Sequence, residues 1–249
     1  MTFKIKYFLF LFFAFIYFNV SCQIKNAKIT YKIKMNIQND SIFKLENDRG
    51  KMVRLVFNEI NSIQMELVYF DGITEFKEIP KIFISKKQES FQKLANKSAR
   101  LNEVYYTNIE NKTSSVFKTF GGVDYFITSD SGLNWMLINE NKEIGGFNCQ
   151  KAETIYTYKD RKDNYQNLKI TAWYSPEIQI SSGPKNYIGL PGLILELTEG
   201  DDFLTFQASK IQINSKDISK IHIPNDVENI TRNEFSLITK ESYNQFFKN

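Results

Sequence analysis

Few residues in this chain are equipped for chemistry. Its 249 residues include one histidine, His222, set in Ile221-His222-Ile223-Pro224. A Ser–His or Cys–His nucleophile, or a histidine general base, would have to use it. Its place between isoleucines on a short β-like segment reads as structural. A single imidazole rules out a zinc site built from several histidines, and no CxxC pair, HExxH helix or glycine-rich phosphate loop occurs. Carboxylates are more numerous but form no pattern. Asp160 and Asp163 flank Arg161 and Lys162 in a polar loop, and Asp201 and Asp202 sit in a connection where aspartate favours turns. Paired acids for glycoside hydrolysis need a fixed separation in space, which sequence alone does not supply. The inventory therefore gives no catalytic residue, no cofactor-binding residue and no metal ligand. It weighs against an enzyme and leaves an unrecognised hydrolase as the least favoured reading.

The two cysteines, Cys22 and Cys149, are best read through the N-terminus. Lys4 and Lys6 precede the uncharged run Tyr7–Phe18, and a small, polar exit, Asn19-Val20-Ser21-Cys22-Gln23, follows it. That is the layout of a secretory signal peptide, and the run is short of the roughly 20 apolar residues that a bilayer span requires. Cleavage after Cys22 leaves Gln23 at the new terminus. Cleavage before it makes Cys22 an acylated first residue, although Asn19 stands where lipoprotein processing favours an aliphatic side chain. Both routes stay open, and so does the destination: periplasm, outer membrane if Cys22 is lipidated, or the exterior. Either route removes or modifies Cys22 and leaves Cys149 without a disulfide partner, as a small buried hydrophobe. Loss of residues 1–22 lowers the formal charge from +4 to +2, which gives no reason to expect nucleic acid as a partner. Residues 23–249 contain no linker-like stretch and no internal repeat, so they form one domain.

The elements that would position any site are mostly strands. From Asn26 to Ile37 apolar residues (Ala27, Ile29, Tyr31, Ile33, Met35) alternate with Lys28, Thr30, Lys32 and Lys34, the period of a strand with one wet face. The same period is read at 52–57, where Val53, Leu55 and Phe57 alternate with Met52, Arg54 and Val56, and at 63–69. Further strands are expected at 104–109, 115–120, 123–128, 135–139, 147–158, 168–174, 193–198 and 203–213. Asp71-Gly72, Gly121-Gly122, Ser131-Gly132, Gly145-Gly146 and Glu199–Asp202 supply turns between them. Short connections make neighbouring strands antiparallel. Two segments break the pattern. Capping boxes at Ser85–Gln88 and Thr231–Glu234 open helices at about 86–101 and 232–247, with apolar stripes of Phe91, Leu94, Ala95, Ser98 and Leu101, and of Phe235, Ile238, Phe246 and Phe247. The expected fold is mainly β with two helices: a large, curved antiparallel meander, half-barrel or barrel-like, with the helices on one face.

Near the last third the chain reads Gly189-Leu190-Pro191-Gly192-Leu193-Ile194, preceded by Ala172-Trp173-Tyr174 and Gly183-Pro184. Upstream lies Gly145-Gly146-Phe147-Asn148-Cys149-Gln150-Lys151-Ala152. Over about 135–213 this resembles the GLPGLI family, exported proteins of Bacteroidota without an assigned activity. The motif itself reads as a turn entering a buried strand. Pro191 and Gly192 suit the central positions of a type II turn, and Leu193, Ile194 and Leu195 suit a strand covered on both faces. Gly183 and Gly189 are expected to let backbone pass beneath Trp173 or Tyr174. Nothing in the hexapeptide is a nucleophile, an acid or a ligand for metal.

Two functional expectations follow. A curved sheet could hold a lipid-like molecule in its concavity, with Trp173 and Tyr174 as a candidate contact surface. Alternatively, an exposed edge strand or aromatic patch could engage an outer-membrane protein. A carrier calls for a deep apolar cavity, and an interaction protein for an exposed patch.

Overall fold

The computed structural model describes residues 24–36, 41, 43–130, 132–160, 164–225 and 227–247. The leader with Cys22, and Ile37, Ser131 and Asp163, lie outside them, as do the side chains of Phe246 and Phe247.

Among the described residues, twelve strands form one sheet. They are β1 (Asn26–Met35), β2 (Gln64–Phe70), β3 (Ile73–Glu78), β4 (Val104–Asn108), β5 (Thr113–Phe120), β6 (Val123–Asp130), β7 (Met136–Ile144), β8 (Phe147–Lys159), β9 (Tyr165–Ser175), β10 (Leu193–Glu199), β11 (Leu204–Ile213) and β12 (Glu228–Thr231). Their spatial order is 12-6-5-4-3-2-1-11-10-9-8-7. The sheet is thus two antiparallel meanders, β2–β6 and β7–β11, with β1 between them. Only the β12–β6 pairing is parallel. The turns at Asp71-Gly72, Gly121-Gly122 and Gly145-Gly146 carry positive φ at both central residues, the condition for type I′ hairpins that match strand twist.

Among the described residues three helices accompany the sheet, one more than expected: α1 (Asp48–Ser62), α2 (Lys86–Ala99) and α3 (Arg232–Phe247). The strand read at 52–57 is the middle of α1. Apart from Arg54 both alternating sets there are apolar, so period two has no consistently polar face to define it. The deciding signals are Asn47, whose side chain accepts from the Gly50 N–H at 3.0 Å, and the spacing of Val53, Val56, Phe57 and Ile60. Phe57 and Ile60 are buried, while Met52 and Leu55 face water. Helix α2 stands where expected but is rotated from its expected stripe. Gln92, Ala95, Asn96 and Ala99 face inward, and Leu94 is exposed. The amides of Gln92 and Asn96 donate to the Glu78 carboxylate, so this helix docks largely through polar contacts.

Register assigns one face to the core. Ile29, Leu67, Phe76, Tyr105, Val116 and Ile127 lie abreast across β1–β6. Phe206, Leu197, Ala172 and Ala152 continue the same face across β11–β8. The Arg232 guanidinium, next to β12, donates to the Tyr156 hydroxyl on β8 at 3.1 Å. One end of the sheet is thereby brought to the strand next to the other end. The sheet curves around its core face without closing into a barrel.

Candidate functional site

The motif segment occupies the concave face. Residues 176–192, between β9 and β10, fold into the trough with Ile178, Ile180, Tyr187 and Leu190 buried. The Leu193 N–H donates to the Ile178 carbonyl at 3.0 Å, and the Ile194 N–H to that of Ser182 at 2.9 Å. From the opposite side the Tyr31 hydroxyl donates to the Ile194 carbonyl at 2.7 Å, and Thr74 and Ser182 share a hydroxyl contact of 3.3 Å. Leu193, Ile194 and Leu195 are fully buried, as a strand covered on both faces requires.

The turn differs in type from the expected one. The Gly192 N–H donates to the Leu190 carbonyl at 2.8 Å, closing a three-residue turn around Pro191. Gly192 is needed for space: a Cβ there would stand 2.1 Å from the Ser175 carbonyl oxygen. Gly183 likewise passes the Ile194 side chain, and Gly189 passes Trp135.

A polar seam crosses the same concavity. The Lys185 ammonium lies 2.6 and 2.8 Å from the two oxygens of Glu199, and the Tyr187 hydroxyl donates to the same carboxylate at 2.8 Å. Both charged side chains are only 11% exposed. On β4 and β5, Lys118 and the Tyr105 hydroxyl donate to Glu103 at 2.5 and 2.7 Å. Burial opposes ionisation of Glu103, but the hydrogen bond and charge of Lys118 outweigh it and hold the carboxyl below its usual range. Burial first, and the neighbouring carboxylates second, push the Tyr105 and Tyr187 phenols up. Every acid in the seam is thus matched by a lysine, and both phenols stay protonated as donors. The arrangement holds the trough together and leaves no free nucleophile or base. These residues escaped the sequence reading, although Glu199 carried a signal: it shares the parity of Leu195 and Leu197, the apolar set of β10.

Trp173 and Tyr174, adjacent in sequence, point to opposite faces and do not share a surface. Tyr174 is buried in the core, with its hydroxyl donating to Gln150 at 2.8 Å. Trp173 lies on the outer face, with Lys142 Nζ 4.3 Å and Lys151 Nζ 5.9 Å from its ring centroid. Both lysines are also paired, Lys142 with Glu196 at 2.6 Å and Lys151 with Glu140 at 3.1 Å. Cys149 is a core residue whose thiol burial pushes up to about 11, well away from the thiolate range.

His222 belongs to the segment after β11, which crosses the outer face. There it borders a cleft of about 370 Å³ lined by Lys28, Glu66, Glu75, Lys77 and Asp217 among others. Lys28 pairs with Glu66 at 2.7 Å and Lys77 with Glu75 at 2.6 Å. The cleft is polar and charge-balanced. Among the described residues no group of three or more His, Cys, Asp or Glu side chains could hold a metal ion, and no helix is long and apolar enough to cross a membrane.

A family described as a protein of unknown function (Porph_ging) matches residues 135–196, about a quarter of the chain. The match runs from Trp135 through β7–β9 and the trough segment into β10. No curated protein matches the sequence. Among solved structures, PNGF-II in space group P21 is similar, with a TM-score of 0.53 and 15% identity over 86% of this chain. PNGF-II in space group C2 gives 0.49 and 15% over 87%. This chain spans about a third of the length of either. At that identity the likeness concerns the fold.

Proposed function

We propose that this chain is an exported, non-enzymatic envelope protein that engages a protein partner through the free edge of its sheet. The observation that carries the reading is the first half of β7. This strand ends the sheet, so its outer N–H and C=O groups face away from the ladder. Natural edges are usually guarded by charge or by bulges. The second half of β7 has both, in Glu140, Lys142 and Glu143 and in the register shift between Ile138 and Asn141. The first half has neither. Met136 and Leu137 are each 60% exposed and project from opposite faces, and Ile155 on β8 is 64% exposed. An added strand would meet apolar side chains on both faces and complete the backbone ladder. All three residues lie within the family match.

A lipid in the concavity fits this geometry less well, because the space is taken by Ile178, Ile180, Tyr187 and Leu190 and crossed by the Lys185–Glu199 pair. The N-terminal layout supports export, with an outer-membrane protein as one candidate partner. A photo-crosslinker placed at Leu137 in the native envelope is expected to give one discrete protein adduct. Met136→Lys with Leu137→Lys should abolish capture of that protein while stability stays within about 0.5 kcal/mol. A co-purified acyl lipid without any adduct would return the carrier reading. Intact mass should place the mature terminus at Gln23 or at an acylated Cys22, and a protein that keeps Met1 would overturn export.

A further inference from the structure

The connection from β3 to α2 holds two of its isoleucines in water. Ile82 is 98% exposed and Ile84 96% exposed, two positions apart at the tip of a surface loop. Single exposed hydrophobes are ordinary, but a pair this fully extended into solvent is not. Lys81 anchors the base of the loop to α1, donating to Ser62 at 2.7 Å.

The helix that follows is arranged the same way. Its inward line is Gln92, Ala95, Asn96 and Ala99, while Leu94 is left 44% exposed on the outer side near Lys93 and Lys97. An ordinary surface helix places these classes the other way round. Charge is concentrated here as well. Residues 81–100 contain six basic residues (Lys81, Lys86, Lys87, Lys93, Lys97 and Arg100) and one acid, Glu89, in a chain whose part beyond residue 22 has a formal charge of only +2. Glu89 pairs with Lys93 at 2.6 Å. Among the described residues no carboxylate pairs with Lys86, Lys87 or Lys97. Lys86 and Lys87 also occupy the first turn of α2, where the helix end is already positive and cations are unfavourable.

We propose that the Ile82–Ile84 tip and the outer face of α2 dock on an anionic lipid bilayer. Ile82 and Ile84 enter the acyl boundary, and Lys86, Lys87, Lys93 and Lys97 lie over the headgroups. One surface resolves both oddities: it removes two isoleucines from water and supplies counter-charge to Lys86, Lys87 and Lys97, which no carboxylate among the described residues matches. Phosphodiester headgroups on a bilayer fit this combination, because a soluble polyanion would use the lysines and ignore the isoleucines.

The test is co-sedimentation of the purified protein with phosphatidylglycerol vesicles and with phosphatidylcholine vesicles. Binding is expected to the former, to fall with added salt, and to be weak to the latter. Lys86→Gln with Lys87→Gln should weaken it about thirtyfold, and Ile82→Ser with Ile84→Ser at least tenfold. These side chains support no contact in the fold, so both variants should melt with the parent protein. Equal binding to the two vesicle types, or none to either, overturns the proposal. So does binding that the isoleucine variant leaves intact, which would point to a generic polyanion site for nucleic acid or an acidic protein.

Discussion

At the residue scale, Gly192 and Glu103 illustrate two different constraints. Gly192 is held by space. Its backbone lies against Ser175 so closely that a Cβ would fall 2.1 Å from the carbonyl oxygen and 2.9 Å from the Pro176 Cα. Backbone cannot swing aside as a flexible side chain could. Gly192→Ala is therefore expected to destabilise the protein by about 2 kcal/mol or more, seen as a lowered melting temperature. An unchanged melting curve would show that the trough segment is not seated against β9. Glu103 is held by charge. Its carboxyl is depressed in the folded state by Lys118, so the unfolded chain takes up the proton first as the pH falls. The stability from this group is complete above its unfolded pKa, the ordinary value for a glutamate, and disappears as the pH drops through the lower folded value. Glu103→Gln should make the acid limb of the stability curve shallower below that pH and lower stability at neutrality. A parallel acid limb in the variant would mean that the Lys118 contact contributes nothing.

At the element scale, helix α1 hangs on a cap. Asn47 is the side chain that satisfies its first turn, and Asn47→Ala is expected to lower stability by about 1 kcal/mol, with faster amide exchange confined to the start of α1. Loss spread over the sheet would contradict that placement. The same helix marks where the sequence was hard to read. The alternating Lys and Ile of β1 are unambiguous because one face is wet, and the glycine turns fix the hairpins on either side. In α1 both period-two sets are apolar apart from Arg54, and only the cap and the spacing of Val53, Val56, Phe57 and Ile60 separate helix from strand. Two strands were missed for related reasons. β3 offers Ile73, Thr74, Glu75 and Phe76 with no clean alternation, because Glu75 is itself buried. β12 is four residues long and pairs in parallel with a strand a hundred residues earlier in the chain. The trough site was partly legible. The motif announced a tight, crowded turn, but which backbone crowds it depends on Ser175, and the partners of Lys185 and Glu199 depend on register. Trp173 and Tyr174 looked like one surface in sequence, and the strand period puts them on opposite faces.

At the scale of the whole molecule, the two meanders share one core. β1 joins them: it pairs with β2 on one side and β11 on the other, and its inward residues Ala27, Ile29 and Tyr31 are fully buried. Phe76 from the first meander packs edge-on against Phe206 from the second at 5.9 Å and against Tyr31 at 6.0 Å. The trough segment belongs by sequence to the second meander, yet it contacts the first through Thr74, and Tyr31 on β1 donates to the Ile194 carbonyl at the start of β10. A fragment covering residues 135–213 would keep all five strands β7–β11 and the whole family match. It would also expose Phe206, which packs on Phe76 of β3, and open the edge of β11 that β1 pairs with. An apolar sheet face left in water does not sustain a fold, so the recognisable part of this sequence should not be an independent unit. The fragment is expected to give collapsed, poorly dispersed amide resonances, while the complete chain unfolds in one transition with coincident near- and far-ultraviolet circular dichroism. Dispersed resonances from the fragment would show that the second meander folds alone, and that β1 and the first meander were joined to a core already complete.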